Sequence, residues 1–185
     1  MKLLAKEKLG IKLKSKNIKI GILGGTFDPA HKGHLAISKK AKNTFDLSYI
    51  IWAITKKSPL KDKSYLSLNE RIRYSKKITK DNKFIKIRYY ENKIQSNKTI
   101  DLLNYIKKNK KLEIFFIIGA DNLINFHKWH KWKLISKKCT ILVFDRSRYK
   151  AKSLKSITFK RLNDAGLRFI KFKKVNISSS QLRKI

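Results

Sequence analysis

The chain has 185 residues, of which 47 are Lys or Arg and 12 are Asp or Glu, giving a formal net charge of +35. That length suits one compact domain rather than two, and an apolar fraction of 42% is enough to form a buried core, which excludes a wholly disordered chain. The single Cys139 excludes an internal disulfide and a multi-cysteine metal centre, pointing to a reducing, cytoplasmic compartment, and no run of about 18 apolar residues encodes a membrane-spanning helix.

Residues 1–17 alternate Lys with Leu and Ile but lack the continuous apolar stretch of a secretory signal. They read as a basic N-terminal extension to a domain covering residues 18–185. The apolar run 18–23 predicts a strand that ends in Gly24-Gly25, followed by a polar loop and an amphipathic helix from about 33 to 42. The alternation continues with a strand at 49–54, a helix at 67–79 and a strand at 84–87. A helix at 99–109, with Leu102, Leu103 and Ile106 on one face, precedes buried strands at 113–118 and 140–144. Strands that alternate with helices imply an α/β fold, a Rossmann-like, doubly wound and mostly parallel sheet in a single domain. In such sheets ligands bind beyond the carboxyl ends of the strands. The loops after Leu23, Ile54 and Ile118 are therefore the candidate functional loops.

Gly24-Gly25 allows a sharp turn and close approach of the backbone to a ligand, while His31 and His34 flank Gly33 at the start of the next helix. A helix N-terminus presents unpaired N–H groups and a positive dipole end to phosphate, and two imidazoles there can donate further hydrogen bonds. A bare Gly-Gly with His-x-x-His is equally a tight turn carrying two surface histidines. A zinc site requires more ligands than two histidines and one distant cysteine, so no protein-held metal is expected.

The full string Gly24-Gly25-Thr26-Phe27-Asp28-Pro29-Ala30-His31-Lys32-Gly33-His34 resembles the nucleotide-binding motif of the nicotinate-nucleotide adenylyltransferase family, within the nucleotidylyltransferase superfamily. The resemblance runs from Ile18 to Arg183. Ile177-Ser178-Ser179-Ser180-Gln181-Leu182-Arg183 is similar to the family's Ile-Ser-Ser-Thr-x-x-Arg, and Phe116 to Leu123 followed by Trp129 resembles its strand, Gly-Ala-Asp turn and downstream Trp. It implies an enzyme that transfers the adenylyl group of ATP to nicotinate mononucleotide in NAD synthesis, with Mg²⁺ on the phosphates. His31, His34 and Arg183 would stabilise the leaving pyrophosphate. Gly24, Gly25, Thr26, Phe27, Gly119, Asp121, Arg146, Ser178 and Ser179 would complete the ATP site. On the acceptor side the resemblance implies Thr99, Asp121 and Trp129, with Trp132 as a competing aromatic and Lys61 as a phosphate contact; Arg71 would be structural or near the substrate.

Two departures fall on the acceptor side. Leu60 stands where the family has His, and Lys98 where it has Tyr. The sequence also ends two residues after Arg183, short of the family's longer C-terminal region. A phosphopantetheine adenylyltransferase is the nearest enzymatic alternative, disfavoured by the paired histidines, the Gly-Ala-Asp turn and Trp129. A basic nucleic-acid-binding protein is the alternative from another class, since a +35 charge attracts polyanions. The lysines, however, are spread along the whole chain and accompany heavy use of Ile and Asn, as an AT-rich coding sequence would produce. The expected partners are therefore small-molecule nucleotides, with no specific nucleic acid and no membrane, and the oligomeric state is left open.

Overall fold

Four of the strands are apolar along nearly their whole length, and such strands are stable only when both faces of the sheet are covered. In the computed structural model, which describes residues 17–57, 64–108, 111–146, 149–162 and 166–172, six parallel strands form one sheet in the order β3-β2-β1-β4-β5-β6. The strands are β1 (Ile18–Gly25), β2 (Tyr49–Ile54), β3 (Ile85–Tyr89), β4 (Leu112–Gly119), β5 (Thr140–Phe144) and β6 (Leu167–Ile170). The principal helices are α1 (Lys32–Phe45), α2 (Leu68–Ile78), α3 (Glu91–Ile94) and α4 (Thr99–Ile106). They are followed by α5 (Ala120–Asn125), α6 (Trp132–Lys138), α7 (Lys150–Leu154) and α8 (Ile157–Leu162), with a 3₁₀ turn at Phe126–Lys128.

Successive strand residues point to opposite faces, and the core divides accordingly. Phe116 and Ile118 join Ile22, Leu103, Leu123 and Phe126 on one face. Phe115 and Ile117 join Ile50, Trp52, Leu142 and Phe144 on the other. Strand order reverses between β1 and β4, which pair through Ile18↔Leu112 to Leu23↔Ile117. A doubly wound sheet opens its ligand crevice at such a point, so the loops after Gly25 and Gly119 face one another across it.

The α/β reading and the parallel sheet hold. The strand expected at 140–144 is β5, and the helix expected at 67–79 is α2, framed by a Ser67/Glu70 capping box and by Thr79. The first helix runs past Lys42 to Phe45 and stops at Asp46, whose backbone is left-handed. β6 and the short helices α3 and α5 to α8 were not foreseen. β6 has four residues with only Leu167 buried, and helices of four to seven residues are too short for an apolar stripe to repeat. The proposed 1–17 extension lies, except for Asn17, outside the described residues, and its division from the domain stays a proposal.

Candidate active site

Neither glycine of the Gly24-Gly25 pair makes the turn expected of it. Both continue β1, opposite Ala53 and Ile54, and the chain instead turns at Phe27, a non-glycine residue with φ of +49°. A bulky side chain in the left-handed region is strained by about 1–3 kcal/mol and persists only where the surroundings hold it. Those surroundings are visible. The Phe27 ring, 2% exposed, stacks on Trp52 at 4.8 Å between centroids with planes 16° apart. Trp52 is itself anchored by an Nε1–H bond to the Ser38 hydroxyl of α1 at 2.8 Å. Phe27, an expected ATP contact, thus turns its ring into the core and supports the loop from below. A Cβ at Gly24 or Gly25 would meet only ordinary van der Waals neighbours, the nearest at 3.8 and 3.6 Å, so packing within the protein does not demand either glycine.

His31 and His34 cap α1 reciprocally. His31 Nδ1 accepts the Gly33 N–H and His34 Nδ1 accepts the His31 N–H, each at 3.1 Å. Of the helix N–H groups expected to face phosphate, those of Gly33 and His34 are bonded within the cap. What the cap presents instead is chemical: with each Nδ1 an acceptor, the neutral rings carry their proton on Nε2, which becomes the available donor. The rings lie 3.8 Å apart, and His34 is wedged against Phe27 at 4.8 Å.

Burial lowers the His31 pKa from the usual 6.5 to about 4, with the Arg146 charge acting in the same direction. Burial, followed by His31 and Arg146, also holds His34 well below 6.5. Both are neutral near pH 7. The unfolded chain, with ordinary histidines, takes up protons below 6.5 before the folded chain does, so this contribution to stability is complete above about pH 6.5 and is lost as pH falls toward 4. Thermal midpoints of the ligand-free protein are therefore expected to drop between pH 6.5 and 4, and a His31→Asn variant, which keeps a capping acceptor without a titrating ring, is expected to drop less.

Asp121 and Arg146, expected beside the adenosine, are paired with each other, Arg146 Nη1 donating to Asp121 Oδ2 at 2.6 Å. The second carboxylate oxygen of Asp121 is buried and has no hydrogen-bond partner among the described residues. A Cβ at Gly119 would meet Asp121 Oδ1 where the carboxylate folds back over the end of β4, so a larger residue there would push that side chain aside. Because Arg146 also depresses both histidine pKa values, the loops after β1, β4 and β5 form one electrostatic neighbourhood.

Thr99 opens α4 and Trp129 follows the 3₁₀ turn, and both helices pack on the sheet face that contains Phe116. Trp129 is half-buried, 4.9 Å from Phe126 and edge-on to Phe116 at 6.2 Å; Trp132, also half-buried, packs against the same core. Lys61, Ser178, Ser179 and Arg183 lie outside the described residues. Arg71 is a structural residue, buried and bonded to four main-chain carbonyls. Trp52 and Asp28 were missed as parts of the site. Trp52 had a weak signal, a large aromatic inside the apolar run of β2. Asp28 had none beyond its place in the motif, since its partners, the N–H groups of Tyr65 and Leu66, are 37 and 38 residues away.

The family model described as cytidylyltransferase-like matches residues 22–185. A probable nicotinate-nucleotide adenylyltransferase of Pelagibacter ubique is 66% identical over 173 residues, covering 94% of this chain and 96% of that protein. One from Bradyrhizobium sp. is 38% identical over 131 residues, covering 70% and 68%. The Plasmodium falciparum nicotinic acid mononucleotide adenylyltransferase, solved with NaAD, superposes with a TM-score of 0.69 over 90% of this chain and 82% of its own, at 21% identity, a likeness of fold. With the family model spanning most of its length and a relative alike at two positions in three, the chain belongs to the nicotinate-nucleotide adenylyltransferase family of cytidylyltransferase-like proteins.

Proposed function

We infer that this chain transfers the adenylyl group of ATP to nicotinate mononucleotide, giving deamido-NAD and pyrophosphate in NAD biosynthesis. The observation that carries the reading is the His31/His34 cap at the strand-order reversal, two neutral imidazoles with their Nε2 donors free of the capping bonds. A phosphate oxygen of the acceptor attacks the α-phosphorus of ATP, the bond from that phosphorus to the bridging oxygen breaks, and its electrons leave with pyrophosphate. Such a transfer needs positioning and charge stabilisation more than a protein nucleophile. Nε2–H donors aimed at the β and γ phosphates strengthen their hydrogen bonds as charge accumulates there.

Gly24, Gly25, Thr26, Asp121 and Arg146 are assigned to the ATP side, with Ser178, Ser179 and Arg183 from the C-terminal motif, and Thr99, Trp129 and Lys61 to the acceptor. Mg²⁺ belongs to the proposal as a companion of the triphosphate. Among the described residues no cluster of three or more His, Cys, Asp or Glu side chains could hold a metal, so nucleotide oxygens and water would supply its ligands. No helix of the described residues is long and apolar enough to cross a membrane. A reducing, cytoplasmic setting suits Cys139, a buried thiol pushed up to about 12 by desolvation and hence unreactive. The decisive experiment is a pyrophosphate-release assay with ATP and a panel of acceptors. Nicotinate mononucleotide is expected to support turnover with the highest kcat/KM; preference for nicotinamide mononucleotide or phosphopantetheine would reassign the acceptor.

A further inference from the structure

Arg71 projects from α2 into the interior and is 1% exposed. Its Nη1 donates to the carbonyl oxygens of Thr26 and Thr55, both at 2.7 Å, its Nη2 to that of Lys56 at 2.9 Å, and its Nε to that of Leu66 at 3.1 Å. All four acceptors are main-chain, so the guanidinium constrains the path of the backbone. Thr26 lies in the nucleotide loop, Thr55 and Lys56 lead out of β2, and Leu66 leads into α2. Lys56 and Leu66, described residues ten apart in the chain, are thus both held by one side chain. Two carboxylates complete the knot. Asp28 accepts the N–H groups of Tyr65 and Leu66 at 2.7 and 2.9 Å, and Glu91 accepts the N–H of Lys56 at 3.0 Å. Burial pulls the Arg71 pKa down, while the charges of Asp28 and Glu91 oppose that pull.

A buried cation is an expensive way to fill a core position, and an apolar side chain would fill the same space at lower cost. The forked guanidinium is needed where several fixed acceptors must be reached at once, which a lysine ammonium cannot do in the same plane. We propose that Arg71 is a positioning residue for adenylyl transfer, tying the nucleotide loop after β1 to the loop after β2 so that the two substrates are held in line. The proposal rests on the functional reading above, with Arg71 acting through the main-chain carbonyls it holds.

The test compares wild type with Arg71→Lys in pyrophosphate release from ATP and nicotinate mononucleotide, well below both thermal midpoints, and measures amide exchange at Thr55 and Leu66. The variant is expected to lose about tenfold or more in kcat, with smaller changes in either KM, and to exchange faster at both amides. A control, Ile135→Ala on the buried face of α6, is expected to lower the thermal midpoint while leaving kcat unchanged. Wild-type kcat in folded Arg71→Lys, or a loss of kcat in the control as large as in the variant, would overturn the proposal. If Arg71→Lys does not fold, Asp28→Asn is read instead. Its amide cannot accept both N–H groups, so kcat is expected to fall in the same manner, and an unchanged kcat would count against the clasp. A wild type that releases no pyrophosphate with this acceptor contradicts the functional reading instead.

Discussion

Replacing His34 with alanine is expected to lower kcat for pyrophosphate release by about 10²–10³-fold, the cost typical of removing one preorganised donor from a developing negative charge. The Nδ1 of His34 is committed to the His31 N–H, so the proposed contribution to the reaction falls to Nε2. Alanine removes both bonds. The cap alone is worth about 1 kcal/mol of stability, which cannot account for a rate loss of this size in a folded protein. His34→Asn separates the two roles, because its amide oxygen can accept the His31 N–H while nothing replaces the donor at Nε2. It is expected to melt close to wild type and to be nearly as slow as His34→Ala. Since charge on the pyrophosphate grows only as the bond breaks, the KM for ATP is expected to change much less than kcat. Turnover by His34→Ala within a fewfold of wild type would remove the paired imidazoles from the mechanism.

The largest effect on stability is expected at Trp52. It is fully buried in the second strand, stacked against Phe27 and bonded to Ser38. Truncating a buried tryptophan to alanine typically costs about 3–5 kcal/mol through lost burial and the cavity left behind. For a chain of this size each kcal/mol moves the midpoint by about 2–4 °C, so thermal denaturation should show a drop of roughly 6–20 °C. Trp52→Phe keeps most of the ring contact but leaves the buried Ser38 hydroxyl without its indole partner, a loss of about 1–2 kcal/mol. The consequence for the site is specific. Without its stacking partner, Phe27 has less to hold it at positive φ, and the loop is expected to relax before the sheet unfolds. A Trp52→Ala midpoint within about 2 °C of wild type would mean that the strained turn is held by something other than this stack.

Much of this protein is legible in its sequence. Long apolar runs at β1, β2, β4 and β5 required a sheet covered on both faces, and the order of strands and helices required parallel pairing. The motif from Gly24 to His34 marked a strand-to-helix junction, and in the structure it runs from the last two residues of β1 into the first turn of α1. Short or half-exposed elements escaped because four to seven residues carry too little periodic signal, as with β6 and the helices around residues 150–162. At the site, chain order indicated which loops would matter, since their position after strands follows from the fold class.

The amino-acid sequence by itself determined the fold class, the family and the histidine pair, because these depend on local pattern and on residue types at fixed spacing. Only the tertiary structure decided what those residues do to one another. It moved the sharp turn from Gly24-Gly25 to Phe27, bonded both Nδ1 atoms within the cap, and paired Arg146 with Asp121, 25 residues earlier in the chain. It also turned Arg71, one of 47 cations in the sequence, into a buried clasp on Thr26, Thr55, Lys56 and Leu66. Hydrogen bonds and desolvation act over a few ångströms in space, and folding sets which distant residues come that close.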